Sequence, residues 1–341
     1  MKVLENVPIS ELTTMRLGGP ARYVIEIEKP EDIPEAYEYA RSFVFLPTFV
    51  LGNGANTIGH DEGFHGVILM NKMSGMELKE EVETGYFLLR AMGGEVWDSV
   101  VEYACKNGLT GIEAMSKIPG TVGAAPVQNI GAYGQDISQV FESIEVFDSK
   151  DLQFKVLKKE DLGFDYRKSI LNTTEYGRYF VVSMTLRLKK GQMQRPFYDS
   201  LERYIGEHHE TDFSPLSVRR MVTEIRANKL PDPATTPSAG SFFKNIYVSN
   251  RDAERLEMQG VQVYRTGDDH NKVNAGWLIE KAGLSGQLIH GFRINENAAL
   301  VLINESAKSF ADLVAARTDI SNLIYDRFGL KLEQEPMELV G

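Results

Sequence analysis

Cysteine is all but missing. Cys105 stands alone in 341 residues, so the chain can form no intrachain disulfide and no cysteine zinc site. Long apolar runs are missing too. The most apolar stretch, Phe43 to Leu51, is short and broken by Pro47, far from a membrane span. The N-terminal residues MKVLENVPISELTT lack the apolar segment of a secretory signal, so a cytoplasmic protein with no membrane partner is expected. No Gly-Lys dipeptide occurs, which removes a P-loop, and no Gly-x-Ser-x-Gly elbow is present. Among six histidines no two are spaced i, i+4, and His208-His209 are adjacent and point apart, so no metal centre is expected.

Excess positive charge is also lacking. With 37 basic and 48 acidic residues the net charge is −11, which disfavours nucleic acid or an anionic membrane as the main partner. A composition of 43% apolar and 25% charged residues is that of an ordinary globular protein, and the length suits two or three domains.

Strand and helix patterns intermix. Arg22–Glu28 and Phe180–Leu188 are rich in β-branched residues and predict strands. Ile33, Ala36, Tyr37 and Ala40 share one helical face, as do Trp97, Val100, Val101 and Ala104, in a helix that should stop at Asn107-Gly108. Cys105 falls on that second helix and reads as core. Val218, Met221, Val222 and Ile225 form a third stripe. Ser309 with Asp312 predicts a capping box opening a helix that closes at Gly329, followed by an extended Leu330–Val340. Without regular βαβ alternation the fold class is α+β.

Three segments are dense in glycine and proline: Leu51–Gly66, Ile118–Gly134 and Leu230–Asn245. In the first, Gly52 and Gly54 fit a dinucleotide fingerprint whose third glycine is replaced by Thr57, and no helix follows to receive a pyrophosphate. A Rossmann site is therefore not expected. A tight turn and a loop whose bare backbone approaches a phosphate both remain open. The second segment holds mostly small residues, with Thr121, Gln128 and Asn129 as hydrogen-bonding groups, and suits either close-packed turns or a flat, bulky ligand. In the third, Arg226, Lys229 and Lys244 accompany Ser238 and Ser241, either as a solvated basic loop or as a diphosphate pocket.

Assembled, these segments resemble the UDP-N-acetylenolpyruvoylglucosamine reductase family over nearly the whole chain. The matching blocks are Thr13–Ala21, Leu51–Asn56, Ile118–Gly134, Phe164–Ser169, Lys229–Asp232, Gly240–Asn245, Ala275–Ile279 and Leu300–Asn304. Arg195–Lys229, with Pro196-Phe197-Tyr198, resembles the family type (type I) whose tyrosine-bearing loop covers bound substrate. The resemblance implies a two-part FAD-binding region of the vanillyl-alcohol-oxidase/PCMH type plus a C-terminal α+β substrate-binding domain. The expected boundaries are 1–70 and 71–226 for the two FAD subdomains and 227–329 for the substrate domain, with a strand in 330–341 returning to the first.

It further implies a flavoenzyme of peptidoglycan precursor synthesis. NADPH reduces FAD, and the enolpyruvyl ether of UDP-N-acetylglucosamine then takes a hydride at its methylene from flavin N5. Charge builds at the adjacent carbon and must be met by preorganised partners. By motif matching these are Arg167 and Glu335, with Ser241 delivering the proton and Lys244 supporting it; an anionic Glu335 would repel the enolate, so it is expected protonated or hydrogen-bonding. Cofactor contacts carried over are Gly52, Asn53, Gly54, Ala55, Asn56, Thr57, Pro119, Gly120, Thr121, Gly123, Ala124, Asn129, Gly131, Ala132, Tyr133, Gly134 and Arg226. Substrate contacts are Tyr198, Lys229, Lys244, Asn245 and Tyr264. A monomer is expected, and the family suggests activation by a monovalent cation, K+.

The chain departs from the family at Ala124-Ala125 (commonly Ser-Ser), Ser285 (a basic residue), Ala298 (glutamine), Asn295 (histidine) and Ile246 (proline). Alternation puts Glu333 and Glu335 on one strand face and does not separate them; Glu335 is chosen as the catalytic glutamate because it falls two residues past the first glutamate of the family pattern. Two competing functions are a flavin-dependent oxidase of the same fold and a non-catalytic sugar-nucleotide-binding protein. The first is weakened because neither cofactor loop holds a histidine to tether flavin, the second because binding alone would not need Arg167, Ser241 and Glu335.

Overall fold

Alternating and continuous apolar runs build three sheet systems in a computed structural model that describes residues 1–43, 46–267 and 269–340. Val44 and Phe45 of the apolar stretch, and Gly341 at the end of the expected returning strand, lie outside the described residues. The first sheet has the order Lys2–Pro8, Pro20–Ile27, Phe64–Asn71, Thr48–Leu51, with its first pair antiparallel and the others parallel. The helix Asp32–Ser42 lays Ile33, Ala36, Tyr37 and Ala40 on Ile25, Ile27, Val67 and Leu69. A parallel pair needs such a crossover to return the chain.

The second sheet is antiparallel, ordered Gln153–Lys158, Phe141–Asp148, Tyr179–Lys190, Tyr86–Met92, Met76–Glu81, with Leu109–Thr110 on the end of Tyr179–Lys190. Its inner strands Phe141–Asp148 and Tyr179–Lys190 are buried on both faces over part of their length. Ile144, Met184 and Leu186 meet the helix Trp97–Lys106, whereas Phe147, Phe180 and Val182 turn the other way into the core of the first sheet. That double burial explains why Phe180–Leu188 reads as a run of apolar residues with only partial alternation.

The C-terminal region has its own core. A four-stranded sheet, Ser238–Ser241, Val301–Asn304, Phe292–Ile294, Leu288–Ile289, and a three-stranded one built on Asn271–Val273 pack beneath the helices Ala275–Lys281 and Phe310–Phe328. The long helix is opened by the expected box: Ser309 Oγ accepts the Asp312 amide at 3.0 Å and Asp312 accepts the Ser309 amide at 3.0 Å. It closes at Gly329, whose φ of 70° is cheap only for glycine. A small cluster of Phe197, Leu201, Tyr204 and Ile205 holds the helices Asp199–His208 and Pro215–Lys229 together.

Two segments tie the regions to each other. The block at Thr13–Ala21 bridges them: Thr14 Oγ1 donates to the Ser238 carbonyl at 2.6 Å, the Thr14 amide to the Gly54 carbonyl at 3.2 Å, and Asn304 Nδ2 to the Met15 carbonyl at 3.2 Å. The tail returns, as Met337–Leu339 pairs in parallel with Thr57–Gly59. The expected extended Leu330–Val340 is only partly regular: within it a strand covers Met337–Leu339, and Gln334 makes an isolated bridge to Phe243. Among the described residues no helix is long and apolar enough to cross a membrane, and no group of three or more His, Cys, Asp or Glu could hold a metal.

Candidate active site

Two adjoining cavities open where the three regions meet. The first, of about 170 Å³, is walled by 48–57 on one side and by Pro119, Gly120, Thr121, Gly123, Ala124 and Ala125 on the other. The second, of about 570 Å³, shares Asn53, Ala55, Asn56, Pro119 and Gly120 with the first and continues to Arg167, Arg226, Ser241 and Glu335.

The two glycine loops touch. A Cβ at Gly52 would stand 2.5 Å from Thr121 Oγ1, and one at Gly54, where φ is +66°, would stand 2.1 Å from the Leu12 carbonyl. Glycine is thus demanded here by neighbouring backbone and side chain within the protein. Asn56 Nδ2 donates to Gln128 Oε1 at 2.9 Å and fastens one loop to the other. The second loop is strapped down by amides: Val122 to the Glu95 carbonyl at 2.9 Å, Gly123 to Gly93 at 2.7 Å, and Trp97 to Gly120 at 3.1 Å.

Arg167 sits on a tight turn in which Asp165 and Lys168 exchange two backbone hydrogen bonds of 3.1 Å each. Its φ of 55° is unusual for a side chain with a Cβ, a strain of the kind held by surrounding structure at functional sites. Asn129 Nδ2 donates to the Asp165 carbonyl at 3.3 Å, and Ser169 Oγ to that of Val127 at 2.7 Å, so the turn hangs from the second glycine loop. Arg167 Nε then reaches Glu335 Oε1 at 3.1 Å and Nη2 reaches the Gly131 carbonyl at 3.2 Å.

Glu335 arrives from the tail. Its amide donates to the Phe242 carbonyl at 2.9 Å, while the Lys244 amide donates to Glu333 at 2.8 Å, which sets the tail beside Ser241. Burial raises the Glu335 carboxyl above its ordinary range, against the opposing pull of Arg167. Alternation could not separate the two glutamates, but burial does: the Glu333 side chain is 73% exposed, that of Glu335 10%.

Eleven of the expected cofactor residues, Gly52–Thr57 together with Pro119, Gly120, Thr121, Gly123 and Ala124, line the first cavity. Gly131 and Arg226 line the second, and partial withdrawal of the half-buried Arg226 from water lowers its pKa. Asn129, Ala132, Tyr133 and Gly134 line neither cavity; Asn129 supports the arginine turn instead, and Tyr133 packs edge-on against Tyr198. The three residues expected to be catalytic, Arg167, Ser241 and Glu335, all line the second cavity, and Ser241 ends the strand Ser238–Ser241 rather than capping a helix.

The expected substrate residues stand outside the cavity walls. Lys244 pairs with Glu333, Asn245 donates to Tyr166 Oη at 3.4 Å and accepts the Ala275 amide at 3.2 Å, and Lys272 lies over both Tyr198 and Tyr264. Lys229 is exposed, and its carbonyl accepts Asn295 Nδ2 at 3.0 Å. Sequence reasoning missed Asn71, Gly93, Tyr176, Gly177 and Tyr179 in the first cavity. Only Asn71 left a signal, a polar side chain ending an otherwise apolar strand; it is buried, donates to the Val181 carbonyl at 2.8 Å and stands under Gly93.

Comparison with known proteins accounts for this arrangement. Residues 232–339 match the C-terminal domain of UDP-N-acetylenolpyruvoylglucosamine reductase, and residues 21–153 match an FAD binding domain. The UDP-N-acetylenolpyruvoylglucosamine reductase of Vibrio vulnificus is 31% identical over 98% of this chain and 94% of its own length. That of Ralstonia nicotianae is 33% identical over 97% of each. The chain belongs to the UDP-N-acetylenolpyruvoylglucosamine reductase family. The crystal structure of the Thermus caldophilus reductase superposes with a TM-score of 0.69 at 25% identity, covering 99% of both chains. The α+β class with an FAD-binding region and a separate C-terminal domain is thereby shared with the family.

The first cavity fits the flavin cofactor of this family. Thr121 Oγ1 is buried without a hydrogen-bond partner and lies on the cavity wall, which leaves it free to bond a ligand. A Cβ at Gly120, where φ is +138°, would have nothing within 4 Å, so there is open space beside this wall residue. Leu51, Trp97, Val127, Ile130 and Leu171 supply the apolar surface that a flat ring system needs.

Proposed function

We propose that this FAD-dependent reductase of peptidoglycan precursor synthesis converts UDP-N-acetylglucosamine enolpyruvate to UDP-N-acetylmuramate, with NADPH as reductant. The observation that carries the reading is the convergence of Arg167, Glu335 and Ser241 on one cavity that adjoins the cofactor cradle. FAD, when bound, supplies the two-electron carrier between NADPH and the enolpyruvyl double bond.

The protein's own groups then have separable tasks. The reaction adds a hydride to the terminal methylene and a proton to the neighbouring carbon, with transient negative charge delocalised into the substrate carboxylate. Arg167 takes that carboxylate, already oriented by Gly131 and Glu335. Glu335, raised by burial, is favoured as the neutral acid when charge develops and so donates rather than repels. Ser241 delivers the proton, and Lys244, three residues on, moderates the negative field of the two glutamates. Tyr198, Lys229, Lys244, Asn245 and Tyr264 hold the sugar nucleotide at the rim; Tyr198 belongs to the segment that closes over it. Arg226, expected as a cofactor contact, lines only the larger cavity and is assigned here to the anionic groups of the substrate.

We assign 1–70 and 71–226 to the flavin-binding part and 227–329 to the substrate part, with the tail from 330 returning to the first. Activation by K+ and a monomeric, cytoplasmic enzyme complete the reading.

Anaerobic rapid mixing of Ser241→Ala tests it. NADPH should still bleach the flavin band, while reoxidation by the enolpyruvyl sugar nucleotide should fall by about 10²–10⁴-fold. Fast reoxidation in this variant removes Ser241 from the chemistry, and a wild-type protein that is not reoxidised at all removes the substrate assignment.

A further inference from the structure

At the mouth of the larger cavity one carboxylate gathers three elements. Asp98, in the first turn of the helix Trp97–Lys106, accepts the Lys117 amide at 2.7 Å and both Arg219 Nη atoms at 2.6 and 2.9 Å. Lys117 Nζ stands a further 3.0 Å away. The side chains of Asp98 and Arg219 are 18% and 12% exposed, so this is a sheltered bidentate pair and not a surface contact. Burial pushes the Asp98 carboxyl up, but the Arg219 and Lys117 donors outweigh it and hold the group well below the usual carboxylate range.

What the three elements carry gives the cluster its meaning. Lys117 begins the turn whose Pro119 and Gly120 wall both cavities, and its φ of 60° needs an external hold because it has a Cβ. The Asp98 bond to its amide provides one end of that hold; the Trp97 amide on the Gly120 carbonyl, at 3.1 Å, provides the other. Arg219 lies on Pro215–Lys229, two turns before Arg226 and therefore on the same face. Asp98, Lys117 and Arg226 all line the larger cavity. Breaking one arm leaves either a sheltered carboxylate or a sheltered guanidinium without its partner and frees the element that this arm held.

We infer that Asp98 is a positioning residue that locks the cofactor turn at Lys117–Gly120 to the helix bearing Arg226, so that FAD and the anionic substrate meet walls set by one clamp. The substrate half rests on the function proposed above; the FAD half does not.

The test compares Asp98→Ala, Asp98→Asn, Arg219→Gln, Arg219→Lys and the double variant Asp98→Ala/Arg219→Gln. FAD affinity is read by fluorescence titration of the apoprotein, and the substrate dependence of flavin reoxidation by rapid mixing. Losing a charge-assisted pair should cost about tenfold or more in the affinity it supports. Asp98→Ala should lose that factor for FAD and for the sugar nucleotide alike. Arg219→Gln keeps the bond to the Lys117 amide, so FAD affinity should stay within about threefold while the half-saturating sugar-nucleotide concentration rises about tenfold and the limiting rate holds. Arg219→Lys should recover part of this loss, and the double variant should be no worse than Asp98→Ala alone.

A drop in thermal midpoint with both affinities unchanged would reduce the cluster to a stability feature and overturn the inference. Asp98→Asn, whose Oδ1 still accepts the Lys117 amide, should behave as Arg219→Gln does; should Asp98→Ala not fold, Asp98→Leu, which lacks any acceptor, carries the FAD arm, with an unchanged affinity again counting against the clamp. Failure of wild-type protein to be reoxidised by this substrate would strike the proposed function, while the FAD titration would still decide the clamp.

Discussion

Asp148 and Glu335 are both acids withdrawn from water with an arginine beside them, and they differ in how many donors reach them. Asp148, fully covered, accepts Arg178 Nε and Nη2 at 2.9 and 2.7 Å, Lys155 Nζ at 2.6 Å and the Lys150 amide at 3.0 Å. Glu335 receives one side-chain donor, Arg167 Nε, at 3.1 Å. The consequence is opposite in sign. Hydrogen bonds from Arg178 hold Asp148 well below the carboxylate range, whereas burial carries Glu335 above it. An arginine nearby does not by itself fix a carboxylate's charge; the count of donors against the loss of water does. The Asp148 arrangement is a fastener. That of Glu335 is left short of donors, which leaves its proton exchangeable and its arginine available to a ligand.

Arg167→Ala should have the largest effect on function and little on folding. Reoxidation should slow by about 10²–10³-fold, the worth of one preorganised charge donor. Unfolding free energy in urea should stay within about 1 kcal/mol of wild type, because Glu335 can take a proton. A large loss of stability would break the contrast. Arg178→Ala inverts the pattern: stability should fall by about 3–5 kcal/mol, since Asp148 is left buried with too few donors, while the folded fraction turns over normally.

The pH dependence of stability sharpens the comparison with smaller effects. Asp148 has a depressed folded pKa, so its stabilisation is whole above the unfolded value near ~4 and is lost as pH falls. Glu335 has a raised folded pKa, so the folded state is favoured below the unfolded value near ~4.3 and pays for ionisation as pH rises through the folded one. Relative to wild type, Glu335→Gln should therefore gain stability between about pH 5 and 8, and Asp148→Asn should lose most at neutral pH and least in acid, both readable from urea curves at each pH. The smallest effect concerns Cys105, an acid whose thiol is shown with no hydrogen-bond donor among the described residues. Burial, with Glu113 adding to it, pushes its thiol up to about 12, so iodoacetamide at pH 8 should label the native protein far more slowly than the urea-unfolded one. Equal labelling would mean that the helix face is not sealed.

Local physics made much of this fold legible in advance. Ser309, Asp312 and Gly329 carry their instructions within a turn of the helix they bound, and the Trp97–Ala104 stripe names its own buried face. The catalytic trio was legible only through the family's motifs, since nothing near Arg167 or Ser241 in the chain distinguishes them from a surface ion pair or a cap. What resisted was everything set by distant partners. Asn71 supports the floor of the flavin cavity through Val181 and Gly93, and Asp98 meets Arg219 across 121 positions. At Gly52 and Gly54 the sequence leaves a tight turn and a phosphate-approaching loop both open, and the atoms that exclude a side chain there, of Thr121 and Leu12, lie far off in the chain or across the fold.

The tail that pairs with Thr57–Gly59 also has a meaning in the order of synthesis. Glu335 lies 168 positions after Arg167, so a ribosome has made both glycine loops, the arginine turn and Ser241 before the proposed acid emerges, and Met337, which closes the flavin cavity, comes later still. The cavity wall and the proposed acid therefore arrive on one segment, and the pairing of Met337–Leu339 with Thr57–Gly59 closes the cofactor site and sets Glu335 in place in a single step.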